Sequence, residues 1–207
     1  MKDPAEPRIS IAASVAKTTL RQSIRSVREN LTAEERGQLS AQVCALIHRQ
    51  PAWQAANVVL AYAPMADELD IWPLLRELLE REGRLALPRF NPTTGEYEAA
   101  EVTDLDTQLE VKRYKIHEPV SLCRRLDVNR LDFILVPGVA YDLDGHRLGH
   151  GKGFYDRLLA SVRFGLCGVA TDEQVVPSVP VEPHDITVNW IATPTRWLVC
   201  GQRVVPK

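Results

Sequence analysis

Residues 57–90 read NVVLAYAPMADELDIWPLLRELLEREGRLALPRF, and this stretch decides the fold. NVVLAYA (57–63) is a continuous apolar run of strand length, the composition of a strand covered on both faces. The polar PMADELD then leads into a helical pattern from Trp72 to Arg81, where Pro73 is tolerated because it lies in the first turn. Gly83 ends that helix, and RLALPRF reads as the next strand. Strand, helix and strand in this order form a βαβ unit, so the two strands are expected parallel with a right-handed crossover.

On the N-terminal side, Leu20, Ile24, Val27 and Leu31 recur on one helical face. Lys17, Arg21, Arg25 and Arg28 follow the same rhythm on a neighbouring face. LTAEER carries a capping box, Thr32 with Glu35 three residues later, and starts a second helix with Leu39, Val43, Leu46 and Ile47 inward. ISIAASVA (9–16) is mildly apolar, but Asp3 and Glu6 precede it, which is unlike a targeting segment. Residues 1–13 are expected to be a flexible tail and 14–207 a single domain.

Beyond the βαβ unit, NPTTGEYEAAEV reads as a strand or hairpin, and LDFILVPGVAY as a buried strand. FYDRLLASV follows as a helix, and FGLCGVAT, DITVNWIATP and RWLVC close the chain as strands. Helices alternating with buried strands predict a three-layer α/β/α sandwich with a mostly parallel central sheet.

The 207 residues have an average globular composition, 45% hydrophobic and 25% charged, and no run reaches membrane-spanning length. A net charge of -2 argues against nucleic-acid binding by bulk electrostatics. The four cysteines are widely spaced without a CxxC pair, so neither disulfides nor zinc are expected and a reducing cytoplasm is the natural home.

The chemistry concentrates in RLGHGKGFYDR (147–157). Glycines at alternate positions (149, 151, 153) permit φ > 0 and let backbone N–H groups converge on an anion. Lys152 adds a mobile positive charge, and a helix start follows directly. Phosphate is the expected guest, although the spacing fits neither a Walker A loop nor GxGxxG. Asp156 suits the helix dipole and, behind a phosphate loop, could also hold Mg²⁺. His146, His150 and His184 lack metal-ligand spacing, and the four tryptophans read as packing residues.

PGVAYDLDGHRLGHGKGFYDRLL resembles the signature of the 5-formyltetrahydrofolate cyclo-ligase family. KTTLR, MADELD and YKIHEP agree with three further family motifs in order. The resemblance implies a fold of the sugar-phosphate isomerase/CoA-transferase type. The activity it implies is ATP-dependent closure of 5-formyltetrahydrofolate to 5,10-methenyltetrahydrofolate, with ADP and phosphate released. It also implies small-molecule substrates, with no nucleic acid, membrane or obligate protein partner.

By the same resemblance, Lys17 and Arg21 contact ATP together with the loop Arg147, Leu148, Gly149, His150, Gly151, Lys152, Gly153, Phe154 and Tyr155. Lys152 and Arg147 are the catalytic cations. Met65, Asp70, Glu118 and Tyr155 border the folate, and Asp156 binds Mg²⁺. Asn189 stands where some members carry a second metal-linked Asp, and a neutral amide is the weaker Mg²⁺ ligand. The competing classes are a family paralogue acting on another substrate and a non-catalytic folate- or nucleotide-binding protein.

Overall fold

The structure is a computed structural model that describes residues 6–112, 115–162 and 165–201, with side chains from residue 13 onward. Residues 1–5 of the expected tail and Tyr114 of the YKIHEP motif lie outside the described residues. Helix α1 runs over Glu6–Glu29, so residues 6–13 of the stretch read as tail are helical.

The βαβ unit forms as expected. β1 (Val58–Leu60) pairs in parallel with β2 (Arg84–Asn91), and α4 (Trp72–Glu80) makes the crossover. Glu82, at φ 61, takes the left-handed position after α4, and the Gly83 N–H then bonds back to the Leu78 carbonyl at 2.8 Å. Gly83 is needed for space, because a Cβ there would lie 2.3 Å from Leu78 Cδ1.

β6 (Phe133–Pro137), β9 (Leu166–Val169) and β10 (Trp190–Ala192) extend the parallel core on the other side of β1. β3 (Glu96–Val102) and β11 (Trp197–Val199) close the edges antiparallel, giving the seven-stranded order β11-β10-β9-β6-β1-β2-β3. Two small hairpins, β4–β5 (Leu109–Val111, His117–Pro119) and β7–β8 (Ala140–Tyr141, Arg147–Leu148), stand outside this sheet.

One sheet face, with Val59, Leu85, Phe133 and Leu135, buries against α2 (Ala33–His48), α3 (Pro51–Ala55) and α4. The capping box at Thr32 and Glu35 is present at the start of α2. Trp53 meets Phe133 edge-on, and Trp190 stacks on Phe133 and neighbours Trp197, so these tryptophans pack the core as expected. The opposite face, with Leu60, Ile134, Val136 and Ile191, is covered by α5 (Phe154–Leu158) and by irregular segments.

Two elements differ from expectation. α5 has five residues rather than spanning FYDRLLASV. The face of α1 also differs: Lys17, Ile24 and Arg28 are buried while Val27 is 36% exposed. α1 packs on the β7–β8 hairpin through Leu20 and Ile24, against Val139, Ala140 and Leu148, and does not lie on the sheet. Lys17, Arg21 and Arg28 of its basic stripe therefore point inward, toward the loops at the sheet's C-terminal edge, while Arg25 is exposed and pairs with Glu29 on the same helix.

Candidate active site

The strand order reverses at β1: the chain goes from β1 to β2 on one side and later places β6 on the other. Loops leaving the C-terminal ends of β1 and β6 must therefore part, which opens a crevice where open α/β sheets bind ligands. A cavity of about 370 Å³ lies there. The β1–α4 loop (Tyr62, Ala63, Met65, Glu68) and Pro137 at the end of β6 form one end. The glycine loop and α5 line another wall, and Pro88, Tyr97, Ile116, His117 and Glu118 complete it.

The glycine loop is shaped by close approaches. Gly151 and Gly153 have φ of 89° and 64°, and a Cβ on Gly149 would come within 2.8 Å of Arg147 Nη1. Leu148 is buried in β8, while Gly149, His150, Lys152, Gly153, Phe154 and Tyr155 line the cavity. Gly151 does not line it but packs against the Arg21 guanidinium, and Arg21 Nε donates to the Gly149 carbonyl at 2.9 Å. Lys152 makes no ion pair among the described residues, so its ammonium is available at the cavity wall.

Arg147 is 5% exposed and donates through Nη2 to Asp156 Oδ1 at 2.8 Å. Its Nη1 donates to the Pro137 carbonyl at 3.2 Å, and its guanidinium lies over the Tyr155 ring. Asp156 Oδ1 also accepts from the Ile186 N–H at 3.2 Å, while Oδ2 accepts no hydrogen bond among the described residues. Burial raises the pKa of the Tyr155 phenol, keeping it neutral. Burial, then the positive fields of Arg28, Arg147 and Arg21, lowers that of His150, with Asp67 opposing in part. His146 and His184 belong to two separate acidic groups and His150 to neither, so the three do not form one cluster.

The structure does not place every expected residue at the cavity. Lys17 is buried, donating to Glu182 Oε2 at 2.7 Å and to Asp185 Oδ2. Burial alone would lower its pKa, but the hydrogen bonds to Asp185 and Glu182 outweigh this and raise it. Asp70 is exposed and does not line the cavity: its Oδ1 accepts from the Trp72 N–H at 2.8 Å at the start of α4. Asn189 Oδ1 accepts from the Leu166 N–H at 3.0 Å within the sheet.

Glu68, two residues before Asp70, stands in the cavity instead. Its Oε2 accepts from the Met65 N–H at 2.9 Å, and burial raises its pKa. Arg28 supports the same loop, donating through Nε to the Asp67 carbonyl at 3.2 Å. Its Nη2 lies 2.8 Å from Asp67 Oδ2 without hydrogen-bond geometry. The only sequence signal for Glu68 was its place as the middle acid of MADELD, just before buried Leu69. Glu118 is 4% exposed, with Oε2 accepting from the Phe90 N–H at 3.0 Å and Oε1 from the Tyr97 hydroxyl at 3.1 Å.

The cleft can thus hold an anion against the glycine loop and a flat, largely apolar group along its aromatic walls, with a carboxyl at one end for hydrogen-bond donors. A model of the 5-formyltetrahydrofolate cyclo-ligase family matches residues 13–194. The 5-formyltetrahydrofolate cyclo-ligase of Escherichia coli (strain K12) is 34% identical over 181 residues, covering 84% of this chain and 97% of that protein. Its Mus musculus namesake is 26% identical over 191 residues, covering 87% and 94%. Among solved structures, the NMR structure of Aquifex aeolicus 5,10-methenyltetrahydrofolate synthetase matches with a TM-score of 0.80 at 36% identity, over 92% of this chain and 96% of that one.

Proposed function

The chain belongs to the 5-formyltetrahydrofolate cyclo-ligase family, and from that membership and the cleft we propose that it closes 5-formyltetrahydrofolate to 5,10-methenyltetrahydrofolate using ATP. The observation that carries this reading is a single cavity lined both by the glycine loop with Lys152 and Arg147 and by Glu68, Tyr97 and Glu118. Phosphate and folate would meet there without a second site.

The formamide carbon of the substrate is a weak electrophile, and its oxygen is a poor leaving group. Transfer of the γ-phosphoryl of ATP to that oxygen activates the carbon and releases ADP. The neighbouring N10 amine then attacks the carbon and gives up its proton, the carbon–oxygen bond breaks, and the oxygen leaves as phosphate, which takes up that proton. Both reacting groups sit on one molecule, so positioning supplies much of the rate. The Lys152 ammonium neutralises the charge of the transferring phosphoryl group. Arg147 adds positive charge and orients Asp156, and Arg21 holds the loop through Gly149.

Glu68 is the proposed anchor for the amino and N–H donors of the pterin, with Met65 beside it, in place of Asp70. Lys17 acts away from the cavity, fixing the Glu182–Asp185 turn whose next residue, Ile186, donates to Asp156. Asp156 fits Mg²⁺: one hard carboxylate oxygen at the cleft without a hydrogen bond suits an ion held otherwise by phosphates and water. When bound, the ion would offset phosphate charge. Glu118 supports the folate wall through Tyr97.

No helix among the described residues is long and apolar enough to cross a membrane, and all four cysteines are free, which supports a cytoplasmic location. The test is to mix the protein with 5-formyltetrahydrofolate, ATP and Mg²⁺ and follow the near-ultraviolet band of the methenyl product together with ADP. Folded protein that yields neither at saturating folate refutes the proposal.

A further inference from the structure

Tyr97 belongs to none of the motifs that mark the site, yet it lines the cavity. It projects from β3, at the edge of the sheet, opposite Phe90 of β2. Its ring centroid is 4.5 Å from that of Phe154, at 47°, and 5.6 Å from that of Phe90. Its hydroxyl donates to Glu118 Oε1 at 3.1 Å, and the other Glu118 oxygen is bound to the Phe90 N–H. A buried carboxylate with both oxygens committed in this way fixes the tilt of the ring as well as its place. Phe154 follows directly on Gly153, so the two rings form a continuous aromatic wall running from the sheet edge to the glycine loop.

The position of this wall identifies what it holds. Glu68 sits on the loop after β1, and Tyr97 sits on β3, two strands away in the sheet. Both residues line the same cavity, which runs between them, and β1 and β3 themselves lie two interstrand spacings, about 10 Å, apart. That is the order of the distance from the donor edge of a tetrahydropterin to the benzene ring carried on its N10. A pterin anchored at Glu68 would thus bring its aminobenzoyl ring, and not its own bicycle, against Tyr97 and Phe154.

Resting on the folate reading above, we propose that Tyr97 is a specificity residue: with Phe154 it grips the aminobenzoyl ring, and Glu118 holds it in register. Binding through this ring, on the far side of the reacting N5 and N10, presents N10 toward the formyl carbon. The wall thereby selects folates over free formylated pterins.

The test is calorimetric binding of two ligands to wild type, Tyr97→Leu and Tyr97→Phe. The ligands are 5-formyltetrahydrofolate and 5-formyl-6-methyltetrahydropterin, which keeps the pterin and lacks the arm. Tyr97→Leu is expected to raise Kd for the folate about tenfold and Kd for the pterin less than about twofold. Tyr97→Phe keeps the ring but frees it from Glu118. It is expected to raise Kd for the folate about threefold, short of the loss in Tyr97→Leu, and to leave Kd for the pterin unchanged. A folate Kd in Tyr97→Phe equal to that of wild type removes Glu118 from the proposal. An unchanged folate Kd in Tyr97→Leu, or an equal loss for both ligands, overturns the proposal. Wild type that binds folate but forms no methenyl product overturns the proposed function instead and leaves the binding comparison valid. Wild type that binds no folate overturns both.

Discussion

Replacing Arg147 by Ala tests how the phosphate end of the cleft is held together. The Arg147 side chain is 4% exposed and its Asp156 partner 13%, with 2.8 Å between Nη2 and Oδ1. Removing one member of a buried pair leaves the other charge in a poorly solvated place, which costs about 3–5 kcal/mol. For a chain of this size each kcal/mol lowers Tm by about 2–4 °C, so Arg147→Ala is expected to melt roughly 6–20 °C early. Asp156→Ala removes the other half and exposes Arg147, which keeps its bond to the Pro137 carbonyl. The double variant Arg147→Ala, Asp156→Ala leaves no orphaned charge. Its cost should fall short of the two single costs added together by about 1.5–3 kcal/mol, the worth of a charged hydrogen bond. Urea titration followed by the fluorescence of the four tryptophans measures all three variants. Costs that add to within about 0.5 kcal/mol refute the claim that the pair is a coupled unit.

Other expectations follow from the same geometry. Glu68→Gln should raise the KM for folate about tenfold or more, by loss of charged hydrogen bonds, while Asp70→Asn leaves it unchanged; steady-state kinetics on both variants separates the two acids. Glu68→Gln should also be the more stable protein at neutral pH. Burial holds the Glu68 pKa above its unfolded value, so the stability of wild type is full below the unfolded pKa and falls as pH rises through the folded one. Parallel melts from acid to neutral pH check the sign, and a gap that narrows with rising pH refutes it. Lys152→Ala should lower kcat much more than it raises either KM, because its ammonium is needed where charge develops. The Lys17 ion pair should stabilise the fold at neutral pH and lose that effect as pH rises through a folded pKa above 10.5. Melting wild type and Lys17→Met from neutral to alkaline pH should show the two curves converge.

What could be read from the sequence was local. The strand–helix–strand unit at 57–90 depends on period and turn residues within one stretch, and it formed where expected. Gly149, Gly151 and Gly153 announced a loop of positive φ and close approach, and Gly151 and Gly153 have that φ while Gly149 has no room for a Cβ beside Arg147. The failures are all matters of distant partners. Lys17 was expected at the ATP phosphates, and nothing nearby in sequence says that Glu182 and Asp185 will bury it, or that Arg28 on the same helix will turn to Asp67. Asp70 and Glu68 are both acids of one polar loop, and a loop has no period to tell which faces in. Tyr97 sat in an ordinary alternating strand, and its role rests on Glu118 and Phe154, 21 and 57 residues away.

The placement of α1 has a consequence for biosynthesis. Arg21 bonds to Gly149 across 128 residues, and Lys17 reaches Asp185 across 168. This helix leaves the ribosome long before either partner exists, and it packs on a hairpin made late in translation. Closing such loops comes late in folding, because their entropy is lost before any contact rewards it. A nascent chain therefore carries an exposed cationic helix until the segment around residue 185 emerges. A chain that stops short of that segment lacks Glu182 and Asp185, the two carboxylates that hold the Lys17 ammonium.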